Sequence, residues 1–264
     1  MQKSQHCLRE NYVINMNRLL KVILRVNWLA SIRINCMLPF RQAIRFPILF
    51  YGKCECLKIG KLILEIPETN IKLGIIKIGL KFDIGTESPS GAMINHKGTI
   101  IFKGSGVFGN GFRLFGDSRS VFIIGHNFVL NGNINVRCEK RIQIGACFSC
   151  SWDTKICDTD YHYIENIETN FTEPKSLPIV IGNCVWVGQG VTISKGAVIP
   201  DWTIISQHSL VNQVYKLPPY CVIGGFPARL LTHKKLRRPD IYELFKKGNS
   251  YLITSGLGMF NTKG

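Results

Sequence analysis

The sequence of 264 residues has no uncharged stretch of about 18 apolar residues, which excludes a membrane-spanning helix as its organising element. Its most apolar segment, residues 19–38, is interrupted by Lys21, Arg25 and Arg33. The N-terminus lacks a short charged region followed by a clean apolar run, so we expect no secretory signal. A cytoplasmic location is predicted, with the inner face of the membrane as an alternative. A Ser nucleophile elbow, a P-loop and a dinucleotide glycine fingerprint are also missing.

Acidic residues are scarce, with 17 Asp+Glu against 33 Lys+Arg and a net charge of +16. The excess lies at the two ends: residues 1–65 carry +8 and residues 213–264 carry +7, while residues 66–212 carry only +1. A nearly neutral middle does not fit a nucleic-acid track along the fold, so no nucleic-acid partner is expected. The basic ends indicate either solubility or surfaces that meet a phosphate or an anionic membrane.

Cysteine is frequent, at ten residues, but the chain is long for a disulfide-stapled secreted domain. The pairs Cys54 with Cys56 and Cys147 with Cys150 suggest a zinc site, although the first pair is too close for the usual C-x(2–4)-C spacing. Cys150 also falls at an inward position of the repeat described next, where a thiol acts as a small hydrophobe. Buried free thiols are the favoured interpretation, and no metal is expected.

A six-residue repeat is the strongest pattern in the chain. Six β-branched residues recur at this spacing: Ile181, Val187, Ile193, Ile199, Ile205 and Val211. Two residues before each lies a second small or branched residue: Ile179, Val185, Val191, Ala197, Thr203 and Ser209. Alternation places both on one face of a short strand, and Gly-, Asn- or Pro-containing pairs then form corners. A helix would need spacings of 3 and 4.

Three such strands make one coil of 18 residues, so Ile181 should stack on Ile199, Val187 on Ile205 and Ile193 on Val211. The same phase appears earlier at Ile124, Leu130 and Val136, and then, after a slip of two residues, at Ile144, Cys150 and Ile156. The fold class predicted is mainly β, a parallel β-helix of hexapeptide repeats whose aliphatic ladders fill a triangular prism. Glycine-rich coils should extend back to about Ile71, although Gly106 and Ser118 occupy hexad positions there.

The period lapses between Ile156 and Ile179, in a polar, acidic segment. A solenoid that ejects one long loop usually does so for function. The predicted organisation is a basic, partly helical N-terminal cap (1–65), a β-helix catalytic domain (66–232) with its loop at 157–178, and a C-terminal basic helix and tail (233–264).

The N-terminal segment has helical periodicity, because Leu19, Val22, Ile23, Val26 and Ala30 follow an i, i+3, i+4, i+7, i+11 pattern. This basic amphipathic helix either caps the first coil or lies on an anionic membrane. Lys234 to Lys247 suggest a short basic helix at the other end. Arg229, Lys234, Lys235, Arg237 and Arg238 form either a solvated surface or a cradle for a phosphorylated cofactor.

His162 lies in the middle of the ejected loop, near Asp158, Asp160 and Glu165 in the sequence. Nearby carboxylates would favour the charged form of the imidazole and orient the ring, which suits a general base near neutral pH. A solvated loop histidine is the simpler interpretation of this residue taken alone.

The chain resembles the hexapeptide-repeat (isoleucine-patch) acyltransferases, notably the branch that O-acetylates sugars and surface polysaccharides. The resemblance covers about residues 70–235. It rests on the hexads at Ile181–Val211, on Val185-Trp-Val-Gly188, on Ile223-Gly-Gly-Phe-Pro-Ala-Arg229 and on Asp158-Thr-Asp-Tyr-His162. Phe226 departs from the Asn or Ser common in that ending.

The resemblance implies a left-handed β-helix, a homotrimer, and acetyl-CoA in a groove between neighbouring subunits, with no metal. It implies His162 as the catalytic base and further catalytic roles for Asn131, Asp160 and Glu173. Contacts to the cofactor would come from Trp186, Gly188, Lys195, Arg229, Lys234 and Lys235.

The predicted function is transfer of an acetyl group from acetyl-CoA to a sugar hydroxyl of a surface polysaccharide or its precursor. Peripheral membrane contact through the N-terminal helix would suit such an acceptor. The alternatives are N-acetylation of an amino or nucleotide sugar, and a non-catalytic β-helix scaffold. A zinc hydratase would need three converging histidines, and His126, His162 and His208 show no such spacing.

Overall fold

The computed structural model describes residues 24–81, 91–232 and 234–240. Two helices precede the strands in this part of the chain, α1 (Trp28–Asn35) and α2 (Phe40–Ala43), and a 3-10 turn spans Glu68–Asn70. No helix formed by the described residues is long and apolar enough to cross a membrane.

Short strands make up most of the rest. In chain order they are β1 (Ile48–Phe50), β2 (Cys54–Leu64), β3 (Ile76–Leu80), β4 (Ala92–Phe102), β5 (Gly106–Gly109), β6 (Arg113–Gly116), β7 (Val121–Ile124), β8 (Phe128–Leu130), β9 (Asn135–Cys138), β10 (Arg141–Ile144), β11 (Ser149–Cys150), β12 (Lys155–Cys157), β13 (Ile164–Asn166), β14 (Phe171–Glu173), β15 (Ile179–Ile181), β16 (Trp186–Val187), β17 (Thr192–Ser194), β18 (Val198–Ile199), β19 (Ile204–Ile205), β20 (Leu210–Val211), β21 (Val222–Gly225) and β22 (Ala228–Thr232).

The strands pair in parallel along three rows, which are the three faces of a coil. One row runs β1-β3-β5-β8-β11-β16-β19-β21, and β22 closes it with an antiparallel pairing. The second and third rows share the long strand β4, which pairs with β6 through residues 93–96 and with β7 through residues 99–102. They continue as β6-β9-β12-β17-β20 and as β7-β10-β15-β18. The predicted fold class, a mainly β chain folded as a parallel β-helix, is confirmed.

The predicted stacking of the hexads is confirmed residue by residue. Ile181 pairs with Ile199, Val187 with Ile205 and Ile193 with Val211, each 18 residues apart. Every side chain at the two inward hexad positions is buried in one continuous apolar core, except that Thr203 and Ser209 bring buried hydroxyls. These hydroxyls donate to the backbone carbonyls of Pro200 and Ser206, at 2.8 and 2.7 Å, so neither is left unsatisfied.

The earlier coils are wider than the repeat suggests, and aromatic side chains fill them. Gly106 occupies a hexad position because it pairs with Phe128, whose ring atoms lie 2.4 Å from where a Gly106 Cβ would stand. Phe108 packs against Phe112 and Phe128, with ring centroids 4.2 and 4.7 Å away. Ser118, also in hexad phase, is exposed in a corner between β6 and β7. The glycine and serine at these hexad positions thus mark larger coils, whose interior is filled by phenylalanine side chains.

One column of corners repeats a left-handed backbone conformation. Asn127, Cys147, Cys184, Trp202 and Tyr220 all have φ between 54° and 68°. Backbone hydrogen bonds join these corners from coil to coil, as from the Cys184 amide to the Ala146 carbonyl at 2.7 Å. Non-glycine residues adopt this conformation at a cost of about 1 kcal/mol or more, which the stacked hydrogen bonds offset.

The N-terminal helix differs from the predicted one. Leu24 and Arg25 are helical, but the chain breaks at Val26, and Asn27 caps a new helix, α1, by accepting from the Ala30 amide at 3.1 Å. The predicted helix had run unbroken through Ala30, because an Asn within an apolar periodic stretch does not reveal by itself that its side chain caps a helix. Its residues up to 23 lie outside the described part. The predicted C-terminal helix is wrong over residues 234–238, which are not helical, because Pro239 favours the first turn of a helix and not its interior. Residues 239 and 240 are helical, and the rest of that helix lies outside the described part.

The helix α1 packs on the first coil. The Asn35 amide donates to the Ile48 carbonyl at 2.7 Å, and the Ser31 hydroxyl accepts from the Phe50 amide at 2.9 Å. Parallel pairing already includes β1 and β2, so the coils begin further toward the N-terminus than Ile71, where the sequence pattern fades.

Candidate functional site

The acidic segment that interrupts the repeat is a β-hairpin, which we call the arm (residues 158–178). Its strands β13 and β14 pair antiparallel with each other, and Thr159 bridges Ser176 at its base. Residues 160–174 are exposed throughout, and Ile167 at the tip is 90% exposed. The arm leaves the corner between β12 and β15, so it projects from the prism and contacts the coils only near its base.

Glu139 holds the base of the arm from the coil below. Its carboxylate accepts from the Thr159 hydroxyl at 2.7 Å, from the Lys175 ammonium at 2.9 Å and from the Ser176 hydroxyl. Burial opposes the charge of Glu139, but these donors outweigh it and lower its pKa to about 2. The sequence analysis did not single out this residue, whose partners lie 20 to 37 positions away.

Lys195 holds the base of the arm from the coil above. Its ammonium lies 2.6 Å from the Asp160 carboxylate and donates to the Pro174 carbonyl at 2.9 Å, so it joins the two strands of the arm to β17. The structure thus brings together two predicted site residues, Asp160 and Lys195. Their partnership shows that the Lys195 charge is already engaged within the chain.

Asp158 has a structural role that the sequence did not predict. Its buried carboxylate accepts from the backbone amides of Glu139, Lys140 and Arg141, at 2.6 to 2.8 Å. Burial raises the pKa of Asp158 even though these three hydrogen bonds favour its charged form. The amides belong to the corner where the hexad phase slips by two residues, so Asp158 stabilises the enlarged corner that supports the arm.

His162 is exposed on the arm, two residues beyond Asp160. The expectation that acidic neighbours orient its ring is not met within one chain, since Asp158 binds backbone amides and Asp160 binds Lys195. Within the described ranges the imidazole has no hydrogen-bond partner. The ring is therefore accessible to a group outside the chain.

The remaining predicted catalytic residues are placed apart from one another. Glu173 lies in β14, exposed, opposite Ile164 of β13. Asn131 is half-buried just after β8, and its backbone amide donates to the Cys150 carbonyl at 2.9 Å. The topology puts Asn131 at the corner that leads from β8 to β9, whereas the arm leaves the corner after β12.

The predicted cofactor contacts lie on the later coils and beyond them. Trp186 is half-buried, with the Arg238 guanidinium 5.1 Å from its ring centroid, and Arg238 also donates to the Ser149 hydroxyl at 3.2 Å. Gly188 is required by stacking, because a Cβ there would stand 2.6 Å from the Gln207 nitrogen. The other three predicted contacts are exposed: Arg229, Lys234 and Lys235.

A polar cleft of about 230 Å³ opens beside the base of the arm. Asn95, Phe115 and Arg137 occupy consecutive rungs of one face, and Tyr161 of the arm closes one side. The Arg137 guanidinium lies 3.7 Å from the Phe115 ring centroid, and its Nε donates to the Asn135 side chain at 3.1 Å. Asn95 Oδ1 is buried with no hydrogen-bond partner among the described residues.

The cleft also contains Lys97, Asp117, Glu139 and Thr159. An aromatic ring, a planar guanidinium, a side-chain amide and two carboxylates provide both donors and acceptors for a polyhydroxylated ligand. The sequence analysis missed this set. These side chains point outward from successive coils. Because the coils differ in length, the residues recur at no fixed spacing in the sequence.

Sequence comparison gives partial matches to acetyltransferases, and no protein-family model matches the chain. A galactoside O-acetyltransferase of Escherichia coli K12 is 30% identical over 123 residues, 47% of this chain and 58% of that protein. The chain thus spans less than two thirds of this relative's length. The putative lipopolysaccharide biosynthesis O-acetyl transferase WbbJ of the same organism is 26% identical over 148 residues, 52% of this chain and 74% of that protein.

Among solved structures, that of the polysialic-acid-specific acetyltransferase NeuO matches with a TM-score of 0.45 and 19% identity, over 76% of this chain and 99% of that one. The stacked hexads and the sequence similarity to the two Escherichia coli proteins agree with one another: the chain is similar to the hexapeptide-repeat acyltransferases.

Proposed function

We propose that this protein is an O-acetyltransferase that moves an acetyl group from acetyl-CoA to a sugar hydroxyl of a surface polysaccharide or its precursor. The observation that carries the proposal is the arm, which presents an accessible His162 from a base fixed on two sides by Glu139 and Lys195. The similarity to a galactoside O-acetyltransferase supports the same reaction class.

In the proposed reaction His162 acts as general base. Its imidazole takes the proton of the sugar hydroxyl as the oxygen attacks the thioester carbonyl, and a tetrahedral oxyanion forms. The C–S bond then breaks, and the CoA thiolate leaves and receives the proton from the imidazolium. A thiol with a pKa near 8.5 is a competent leaving group, so transfer is direct and needs no acyl-enzyme.

Basic side chains near the C-terminus would hold the phosphates of acetyl-CoA. Arg229, Lys234 and Lys235 are exposed, and within the described ranges none of them meets a carboxylate. Trp186 beneath Arg238 offers a flat surface on the same coils. Lys195 and Gly188 remain weaker candidates, because the first is bound to the arm and the second serves coil stacking.

The acceptor sugar would occupy the cleft beside the arm. Tyr161 lines this cleft and directly precedes His162, so a sugar held by Arg137, Asn95 and Asp117 would lie beside the segment that carries the proposed base. Asn95 Oδ1 is an acceptor without a partner in the part of the chain that the structure describes, and a sugar hydroxyl would donate to it.

Assembly into a homotrimer belongs to the same proposal. Apolar side chains of the arm are exposed in one chain: Tyr161, Tyr163, Ile164, Ile167 and Phe171. Contact with a neighbouring subunit would cover them and would bring Asn131 or Glu173 of another chain toward His162. A cytoplasmic location, with the acceptor at the inner face of a membrane, completes the proposal.

Release of CoA thiol from acetyl-CoA in the presence of a panel of sugars tests this function. We expect His162→Ala to lower kcat by about 10² to 10⁴ and to leave the thermal shift produced by acetyl-CoA unchanged. The control is Glu168→Gln, which alters an exposed residue near the tip of the arm.

Each other outcome points to a specific alternative. Undiminished turnover in His162→Ala overturns the assigned base. Product formed only from amino sugars favours N-acetylation. Absence of both turnover and a thermal shift with acetyl-CoA favours a scaffold.

A further inference from the structure

The outer surface of the N-terminal cap exposes large apolar side chains. Leu29, Phe40 and Ile44 are 72%, 79% and 62% exposed, and four others on the same two helices and their flanks are also exposed: Leu24, Trp28, Ile32 and Met37. We call these seven residues the cap face. An apolar surface of this kind on an otherwise well-packed chain indicates a binding site.

The cap face is presented by a firmly packed element. On α1, Leu29 and Ile32 lie on the stripe opposite the buried residues Ala30, Ile34 and Asn35. The buried Asn35 side chain makes two hydrogen bonds to the backbone of Ile48. Its Nδ2 donates to the carbonyl at 2.7 Å and its Oδ1 accepts from the backbone amide at 3.2 Å, so both atoms attach α1 to the first coil. The exposure of the opposite stripe is therefore a property of the folded state.

The segment that forms the cap face carries charge of one sign. Four arginines accompany the apolar residues, at positions 25, 33, 41 and 45, and the sequence has no Asp or Glu between Glu10 and Glu55. The guanidinium of Arg33 donates to the Leu57 carbonyl at 3.4 Å, and that of Arg45 to the carbonyls of Glu68 and Ile71. These contacts fix the direction of two arginines without neutralising their charge.

A groove continues the cap face inward. Met37, Pro39 and Gln42 form one wall and residues 60–64 of β2 the other, around a volume of about 430 Å³. Gln42 Oε1 is buried there with no hydrogen-bond partner among the described residues. Apolar contact area is thus available beside the helices as well as on them.

We propose that the cap face docks the protein on an anionic phospholipid bilayer. Apolar side chains would enter the headgroup boundary, and the four arginines would meet lipid phosphates. The charge favours this partner, because an apolar surface whose own helices carry only basic side chains matches a bilayer, which has negative headgroups over an apolar interior. The inference stands independently of the proposed reaction, since it uses neither the arm nor acetyl-CoA.

Docking at this end places the arm at a definite height. The cap covers the first coil, whereas the arm leaves the fifth coil along the row β1-β3-β5-β8-β11. At about 4.8 Å for each coil, the base of the arm stands roughly 20 Å from the cap along the axis.

Flotation of the full chain with vesicles tests the proposal. We expect binding to phosphatidylcholine vesicles that contain phosphatidylglycerol and little binding to phosphatidylcholine alone. Leu29→Ser combined with Phe40→Ser should weaken partition by about tenfold for each side chain, since partly burying one changes an equilibrium by about that factor. Arg33→Glu and Arg41→Glu should each weaken it by at least about fivefold and should reduce its sensitivity to salt.

The matched control is Val214→Ser combined with Leu231→Ser, which removes two exposed aliphatic side chains remote from the cap. Far-ultraviolet circular dichroism of all variants establishes that they fold. The proposal is overturned if the cap variants bind anionic vesicles as the parent does, if the parent binds neutral vesicles equally well, or if the cap substitutions reduce the oligomer size and leave vesicle binding unchanged. The last result would identify a second copy of the chain as the occupant.

Discussion

The Glu139 carboxylate receives three donors from two segments of the arm, so a single residue fixes both ends of the hairpin. Because these donors hold its pKa at about 2, below the ordinary value of about 4.5, Glu139 contributes stability that is fully present above pH 4.5. That contribution falls as the pH drops from 4.5 toward 2. The attachment of the arm should therefore weaken in acid before the coils unfold.

Glu139→Gln should loosen the arm at neutral pH. Glutamine keeps one acceptor oxygen but loses the charge that attracts Lys175. We expect faster hydrogen exchange in residues 159–176, a kcat about 10- to 100-fold lower and a smaller change in KM, because the proposed base would be poorly positioned. Glu165→Gln, on an exposed arm residue, is the control. Equal protection of the arm in parent and variant would show that Glu139 does not anchor it.

At the scale of the element, the arm has a second attachment through Lys195. We expect Lys195→Met to change the free energy of unfolding by less than about 1 kcal/mol, since the Asp160 side chain is 41% exposed and water screens the pair. It should nevertheless increase proteolytic cleavage within residues 160–174. Combined with Glu139→Gln, the loss of kcat should depart from the product of the two single effects, because both residues restrain one element. A double mutant that loses only the product of the single effects would argue against a shared role.

The core hexads and the arm show what sequence reasoning can and cannot predict. The pairings of Ile181, Val187 and Ile193 were predictable because a strict period of six, with three strands to a coil, stacks residues that are 18 positions apart. The hairpin strands β13 and β14 were not predictable, since they pair only with each other and bury no apolar face. For the same reason, the contacts of Glu139 and Lys195 with the arm left no local pattern.

The corners were predicted only in part. The sequence analysis expected Gly, Asn or Pro there, yet Cys147, Cys184 and Trp202 adopt the left-handed conformation. Hydrogen bonds from neighbouring coils impose it on residues that would avoid it alone. The break in the N-terminal helix at Asn27 has a similar origin, because the cap forms where α1 meets the first coil.

At the scale of the whole molecule, small side chains on one coil of the prism leave room for large side chains on the next coil. Gly106 beneath Phe128 is the clearest case, and Gly106→Ala should destabilise the chain by about 1–3 kcal/mol through overpacking. Phe128→Leu should itself be destabilising. The double variant should lose less free energy of unfolding than the sum of the two single losses. Urea unfolding of the four proteins measures this coupling. Additive effects would show that the two positions do not share one space.

The arm interrupts the chain but leaves the register of the prism untouched. Ile144 pairs with Ile181, and Ile156 with Ile193, so every rung resumes after the arm with the same offset. A hairpin of another length or composition could replace the exposed residues 161–173 without moving any ladder, provided that Asp158 and the base of the arm are kept. Under the proposed function, acceptor preference would therefore depend on a hairpin that can be exchanged while the pairing of the coils stays the same.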